Sequence, residues 1–274
     1  MKIIDLDRII QRIAASKKYR SMDIPHETIH DLLEQELSHH EKEADAIKSA
    51  RSKLHNIMAP YLGDLDYEAA AAELDEVLAS GDKAKLAEAC TQFLKVHHST
   101  AERLDYVKEF YGYIFKILGA DCSILDLACG LNPFMLPLVE LPTSLTYTAF
   151  DIHTPRVELI KRLFSGGIGL QGNAETRDIL VRPPQQKATA AFLFKEAHRM
   201  EKRRSGATRD LIASLNVKHV FLSLPTHSLN GRFDLHERMN RLVESSIQGL
   251  GLKLNVKEFV SETLFHLGKN HGEA

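Results

Sequence analysis

Along the first hundred residues, apolar positions recur three and four apart. In "IIDLDRIIQRIAA", Ile3, Leu6, Ile9, Ile10 and Ile13 fall on one helical face. "PHETIHDLLEQEL" opens with Pro25, suited to the start of a helix, and sets Ile29, Leu32, Leu33 and Leu37 on another face. "ADAIKSARSKLHNIMAPYL" keeps helical spacing as far as Pro60, and "YEAAAAELDEVLASGD" runs to a glycine suited to closing a helix. No strand-like alternation interrupts this stretch. Residues 1–105 are therefore expected to form a small all-α domain.

The pattern changes after Tyr106. "YVKEFYGYIFKILG" reads as a helix reaching Gly119. Beyond it, the short apolar runs "SILDLA", "LTYTAFDI", "TAAFLFK" and "HVFLSLP" are separated by helix-length segments. Such alternation predicts an α/β fold around a mostly parallel sheet buried on both faces. "LKLNVKEFV" and "ETLFHLGK" read as a closing antiparallel pair. A doubly wound, Rossmann-like sheet with a terminal hairpin is the architecture of class I methyltransferases, expected here over residues 106–274.

Composition narrows the setting. The chain has 274 residues, 44% of them hydrophobic, enough for a packed core and too many for a disordered chain. No apolar run approaches the roughly 18–20 residues of a membrane span. The N-terminus mixes acids and bases at helical spacing and does not read as a signal peptide. Three cysteines, Cys90, Cys122 and Cys129, form no CxxC pair, which points to a reduced cytoplasmic protein. Histidine is plentiful at 14 residues, yet neither HExxH nor zinc-like Cys/His spacing occurs, so no metal is expected. The net charge is −2, acidic on balance over the first 105 residues, so an RNA-binding case must rest on local clusters.

The candidate chemistry begins at "LDLACGLNPF", Leu125–Phe134. A pyrophosphate-binding turn wants G-x-G-x-x-G, and only one of those glycines is present. Small residues Ala128, Cys129 and Gly130 still let a sulfonium nucleoside lie against the backbone. "TYTAFDIH" ends in Asp151, 25 residues after Asp126, close to the roughly 20-residue interval of an acid that binds ribose hydroxyls. A third strand end is read at "ETRDIL", where Asp178 can take an adenine amine and Ile179 can cover its ring. Together these features favour S-adenosylmethionine. Cys129 reads as a packing thiol, since no base stands at triad-like spacing. The Pro-Cys signal of cytosine-C5 methylation and the (Asp/Asn)-Pro-Pro-Tyr signal of amine methylation are both absent. That leaves oxygen or a ring nitrogen as the methyl acceptor.

The chain resembles the 16S rRNA (guanine-1405) N7-methyltransferases, which confer aminoglycoside resistance. The likeness is carried by "ASKKYR" (Ala15–Arg20), "ARSKLHNIMAPYL", "HHSTAERL" (His97–Leu104), "LDLACGLNPF", "FDIH", "DILVRPP", "FLFK" and "SLPTHSLNGR". It implies a helical N-terminal domain that docks on the 30S subunit and a SAM-binding C-terminal domain, and the protein is expected to be a monomer with no membrane or metal partner. By this resemblance His97, His98, Ser99 and Arg103 line the cofactor from the side, with Arg103 facing the methionine carboxylate. Gly130 meets the methionine part, Asp151 the ribose, and Asp178 with Ile179 the adenine. Phe194 and Lys195 sit beside the transferred methyl, with Lys195 the catalytic candidate.

Guanine N7 carries a lone pair and no proton, so alignment rather than a general base drives its methylation. The base must also leave folded RNA, by flipping. Lys17, Lys18 and Arg20 form one basic cluster, and Lys48, Arg51, Lys53 and His55 another; if the two segments lie side by side they reach several phosphates. Two stretches depart from the family. Its apolar run after Phe-Lys is replaced by "KEAHRMEKRR" (Glu196, His198 and Arg199), and "SLPTHSLNGRFDLHERM" carries His227 and Asn230 where the family has Arg and Gly. The competing readings are methylation of another rRNA nucleotide or a small molecule, and a non-catalytic SAM- or ribosome-binding protein.

Overall fold

The computed structural model describes residues 5–61, 65–166, 169, 171–227 and 235–269. Three helices come first: α1 (Leu6–Ala14), α2 (His26–His39) and α3 (Glu43–Met58). Ile10, Ile13, Ile29, Leu32, Leu33, Leu54 and Met58 close a core among themselves, as the spacing predicts. Ile3 lies outside the described residues, and Leu37 is only half-buried. Glu36 takes a buried place on α2 instead, because Lys53 of α3 meets its carboxylate at 2.5 Å.

Helices α4 (Tyr67–Ser80) and α5 (Lys83–Val96) follow, each opened by an aspartate that accepts backbone N–H bonds, Asp66 and Asp82. The one-turn α6 (His98–Ala101) leads into α7 (Val107–Leu118). Leu74 of α4 and Leu86, Cys90 and Phe93 of α5 pack with Tyr111 and Ile114 of α7 on one face of the sheet. The helices before residue 105 therefore do not share one core: α1–α3 have their own, and α4 and α5 belong to that of the sheet.

The sheet comprises β1 (Asp121–Leu127), β2 (Ser144–Asp151), β3 (Gln171–Thr176), β4 (Ala188–Phe194), β5 (Val217–Pro225), β6 (Leu252–Glu258) and β7 (Glu262–Lys269). Their order is β3-β2-β1-β4-β5-β7-β6, parallel from β3 through β5, with β7 antiparallel to both its neighbours. Helix α8 (Thr154–Ser165) packs on the α7 side, while α9 (Ala197–Arg203), α10 (Ala207–Ser214) and α11 (His236–Ile247) cover the opposite face. The sheet is thus buried on both sides, as the continuous apolar runs require.

One strand is nearly invisible as an apolar run. β3 reads "QGNAET" and buries only Ala174, because it is an edge strand that presents half its length to solvent. Its glycine has a packing reason: a Cβ on Gly172 would stand 2.5 Å from the Phe164 ring of α8. Replacing Gly172 with Ala should lower stability by about 1–3 kcal/mol, the usual range for overpacking. Thermal or urea denaturation measures this, and an unchanged midpoint would show that α8 moves aside without cost.

Candidate cofactor cleft

Strand order reverses between β1 and β4, and the loops that follow these strands diverge there, opening the crevice where such sheets bind ligands. The loop after β1 turns through two left-handed residues, Ala128 (φ 49°) and Gly130 (φ 56°). The backbone N–H of Cys129 donates to the Phe150 carbonyl at 2.8 Å, fixing the turn against β2. The Cys129 thiol is buried, and burial together with the nearby Asp151 and Asp126 pushes it well above the ordinary thiol range. It is a packing group, not a thiolate.

Asp151, at the end of β2, accepts the Gly130 N–H on one oxygen and the His153 N–H on the other, both at 2.9 Å. Arg156 Nη1 lies 3.6 Å from it, and the Arg156 guanidinium sits 4.5 Å over the Tyr61 ring. Asp178 follows β3 and accepts the Leu180 N–H at 3.0 Å and Arg203 Nη1 at 2.7 Å. Asp151, Asp178 and the buried Ile179 line one cleft of about 420 Å³. Its other walls come from Lys53, Asn56 and Ile57 of α3, from Tyr61, and from Glu196 and Met200 at α9. Gly130 touches this cleft through its bond to Asp151.

Enclosure in the cleft raises Glu196 to about 7, Arg199 at 3.6 Å only partly offsetting that burial. The more deeply placed acid is Asp126 of β1. It accepts Asn132 Nδ2 at 2.9 Å and the Tyr147 hydroxyl at 2.6 Å, yet burial still pushes it to about 7. Its Oδ1 has no hydrogen-bond partner among the described residues.

A second cluster lies outside the cleft lining. Arg103 was assigned to a ligand carboxylate, and its fork is instead occupied by Glu262: Nε and Nη2 bond the two carboxylate oxygens at 2.6 Å each. Nη1 bonds Asn132 at 3.0 Å, and the rings of Phe110 and Phe194 cover the guanidinium at 4.4 and 4.9 Å. Burial alone would raise Glu262, but the Arg103 charge overrides it and holds the carboxyl below its ordinary range. Lys195, in a left-handed conformation (φ 56°), places Nζ 2.6 Å from Glu102 and 4.0 Å from Glu262. His98 meets Glu102 at 3.0 Å and so borders the Lys195 cluster, His97 meets Ser99 at 2.8 Å, and none of the three lines the cleft.

The two basic segments do lie side by side: Lys18 Nζ bonds His55 Nδ1 at 2.6 Å. Lys17, Arg20, Lys48 and Arg51 are exposed around that contact, and Lys53 joins the cleft to it. His227 is exposed, and Asn230 lies outside the described residues. Sequence reasoning missed Glu262, Arg156 and Arg203, and singled out Glu196 only as a departure from the family. Asn132 stands within the "LDLACGLNPF" stretch, and its amide joins Asp126, Arg103 and Tyr111. Among the described residues, no group of three or more His, Cys, Asp or Glu side chains is placed to hold a metal ion, and no helix is long and apolar enough to cross a membrane.

A sheet of this order, with its β1 turn and acid-tipped strand ends, defines the class I, S-adenosylmethionine-dependent methyltransferases. Within that class, the ribosomal RNA methyltransferase (FmrO) family model matches residues 15–266, and the chain belongs to this family. It is 31% identical over 231 residues to a 16S rRNA (guanine(1405)-N(7))-methyltransferase of Frankia casuarinae, covering 83% of this chain and 80% of the relative. A Serratia marcescens protein of the same name is 31% identical over 229 residues, 84% of each chain. Among solved structures, the 16S rRNA methyltransferase RmtF in complex with S-adenosyl-L-homocysteine superposes with a TM-score of 0.77 at 28% identity, over 98% of this chain and 100% of that one.

The open acid gives a pH-dependent prediction. Asp126 holds its proton to about pH 7 when folded, against an ordinary value of 3.8. Between those values the unfolded chain ionises first, so stability from this group is present at low pH and declines as pH rises toward 7. Asp126→Asn should remove that decline, and its melting temperature should gain on the unsubstituted protein between pH 5 and pH 8. Parallel melting curves across that interval would show Asp126 to be already ionised.

Proposed function

We propose that the protein transfers the methyl group of S-adenosylmethionine to N7 of guanine 1405 in 16S rRNA of the 30S subunit, and so confers aminoglycoside resistance. The observation that carries this reading is that α3 serves two sites. Lys48, Arg51 and His55 present a basic face, while Lys53, Asn56 and Ile57 of the same helix wall the cleft. A helix that grips phosphates thereby stands beside the cofactor, which suits a macromolecular RNA substrate better than a small molecule. A monomer acting in the cytoplasm, where ribosomal subunits are found, is consistent with it.

In this reading Asp151 holds the ribose hydroxyls, Asp178 the adenine amine, and Ile179 covers the ring. Gly130 brings backbone close to the methionine part. S-adenosylmethionine supplies an electrophilic methyl group on a positively charged sulfur. Guanine N7 needs no deprotonation, so the chain's task is to align acceptor and donor in a dry site. Lys195 acts by contacting a phosphate or the base O6, not by moving a proton. Glu102 and Glu262 offset its charge, which lets the positively charged product base form beside it.

Expressed in a susceptible bacterium, the protein should produce reduction- and aniline-induced cleavage at guanine 1405, together with gentamicin resistance. Unmodified rRNA with unchanged susceptibility would refute the reading; a stop at another nucleotide would redirect it. Lys17→Glu, Lys18→Glu and Arg20→Glu together should weaken 30S binding about tenfold or more at physiological salt. Affinity for S-adenosylmethionine should not change. Equal 30S affinity in a filter-binding assay would remove this patch from the docking face.

A further inference from the structure

The acid assigned to the adenine amine is held by a residue at the end of α9. Arg203 is the last residue of α9, and its guanidinium is largely buried at the wall of the cleft. Nη1 donates to Asp178 Oδ2 at 2.7 Å, and Nη2 donates to Asp31 Oδ2 of α2 at 2.6 Å. The other Asp178 oxygen accepts the Leu180 N–H at 3.0 Å. Both oxygens are thus fixed in direction while each keeps a further lone pair for a ligand donor.

The surroundings make this hold necessary. Glu27 and Asp31 stand four apart on α2 and so share a face. That face meets the Asp178 turn: Glu27 Oε1 accepts the Asp178 N–H at 3.2 Å, and Glu27 also pairs with Arg182. Three carboxylates therefore converge around the position that is to accept an amine. Arg203 is the cation between two of them. Without it, the Asp178 carboxylate faces Asp31 with like charge and is free to rotate away from the cleft. A planar fork spans two carboxylates as a lysine ammonium cannot.

We propose that Arg203 is a positioning residue for cofactor recognition: it aims the Asp178 carboxylate at the adenine amine, and Asp31 of the N-terminal helices completes the hold. The inference rests on Asp178 being the adenine acid, as in the proposed function. One consequence is that the N-terminal helices contribute to cofactor recognition as well as to docking.

The test compares two nucleosides that differ at the purine 6-position. S-inosyl-L-homocysteine carries a carbonyl oxygen where S-adenosyl-L-homocysteine carries the amine, so a correctly aimed carboxylate rejects it. By calorimetry the unsubstituted protein should prefer the adenosyl compound by at least about tenfold, the scale of a lost hydrogen bond to a charged group. Arg203→Met should bring that ratio toward one, and Asp31→Asn should reduce it by less, since Asp31 acts through Arg203. Arg203→Lys, able to reach one carboxylate at a time, should fall between. A general loss of structure would weaken both ligands alike and leave the ratio in place. A wild-type ratio in folded Arg203→Met overturns the proposal, as it does in Arg203→Lys and Asp31→Asn if the Met variant does not fold. A ratio near one in the unsubstituted protein overturns the adenine assignment of Asp178, and the proposal with it.

Discussion

A guanidinium removed from water is tolerated only when its donors find acceptors and its faces are covered. Arg103, 2% exposed, meets that condition through Glu262, which is fully buried. The pair does more than satisfy itself. Through Asn132 it reaches Asp126 and the turn after β1; through Glu262, the first residue of β7, it reaches Tyr106 at the head of α7. Removing one partner of such a pair leaves an uncompensated buried charge, a loss on the order of 3–5 kcal/mol. The turn after β1, Lys195 and the closing hairpin therefore hold their places together or not at all.

The site has two compartments around this pair. On one side, backbone N–H groups and Arg156 hold Asp151, and Arg203 holds Asp178, around a cleft sized for a nucleoside. On the other, Lys195 sits among Glu102, Ser261 and Glu262 at the end of β4. The divergence of chain direction between β1 and β4 is what separates them. Helix α3 then brings the basic surface to the nucleoside compartment. The basic surface and the cleft are consequently neighbours in space, although they come from separate hydrophobic cores.

Much of this was legible along the chain. Helical periodicity located α1, α2 and α3, and apolar runs located β1, β2, β4 and β5, because each of these buries a face or both faces. β3 escaped as a run because an edge strand needs little apolar content, although the acid after it was legible. Asp151, Asp178 and Ile179 were singled out because a strand end is a position that sequence marks, and all three line the cleft. The resemblance placed Arg103 near the site, and the structure gave its fork a protein partner 159 residues away.

What the sequence by itself determined is the set of elements and the family, since periodicity, turn residues and short motifs are properties of neighbouring residues. Tertiary structure decided how the charges are paired. Arg103 with Glu262, Arg203 between Asp31 and Asp178, and Lys18 against His55 each join residues far apart in the chain. Their separation in sequence carries no signal, because a salt bridge depends on distance in space and on exclusion of water, and only the packed cores supply both.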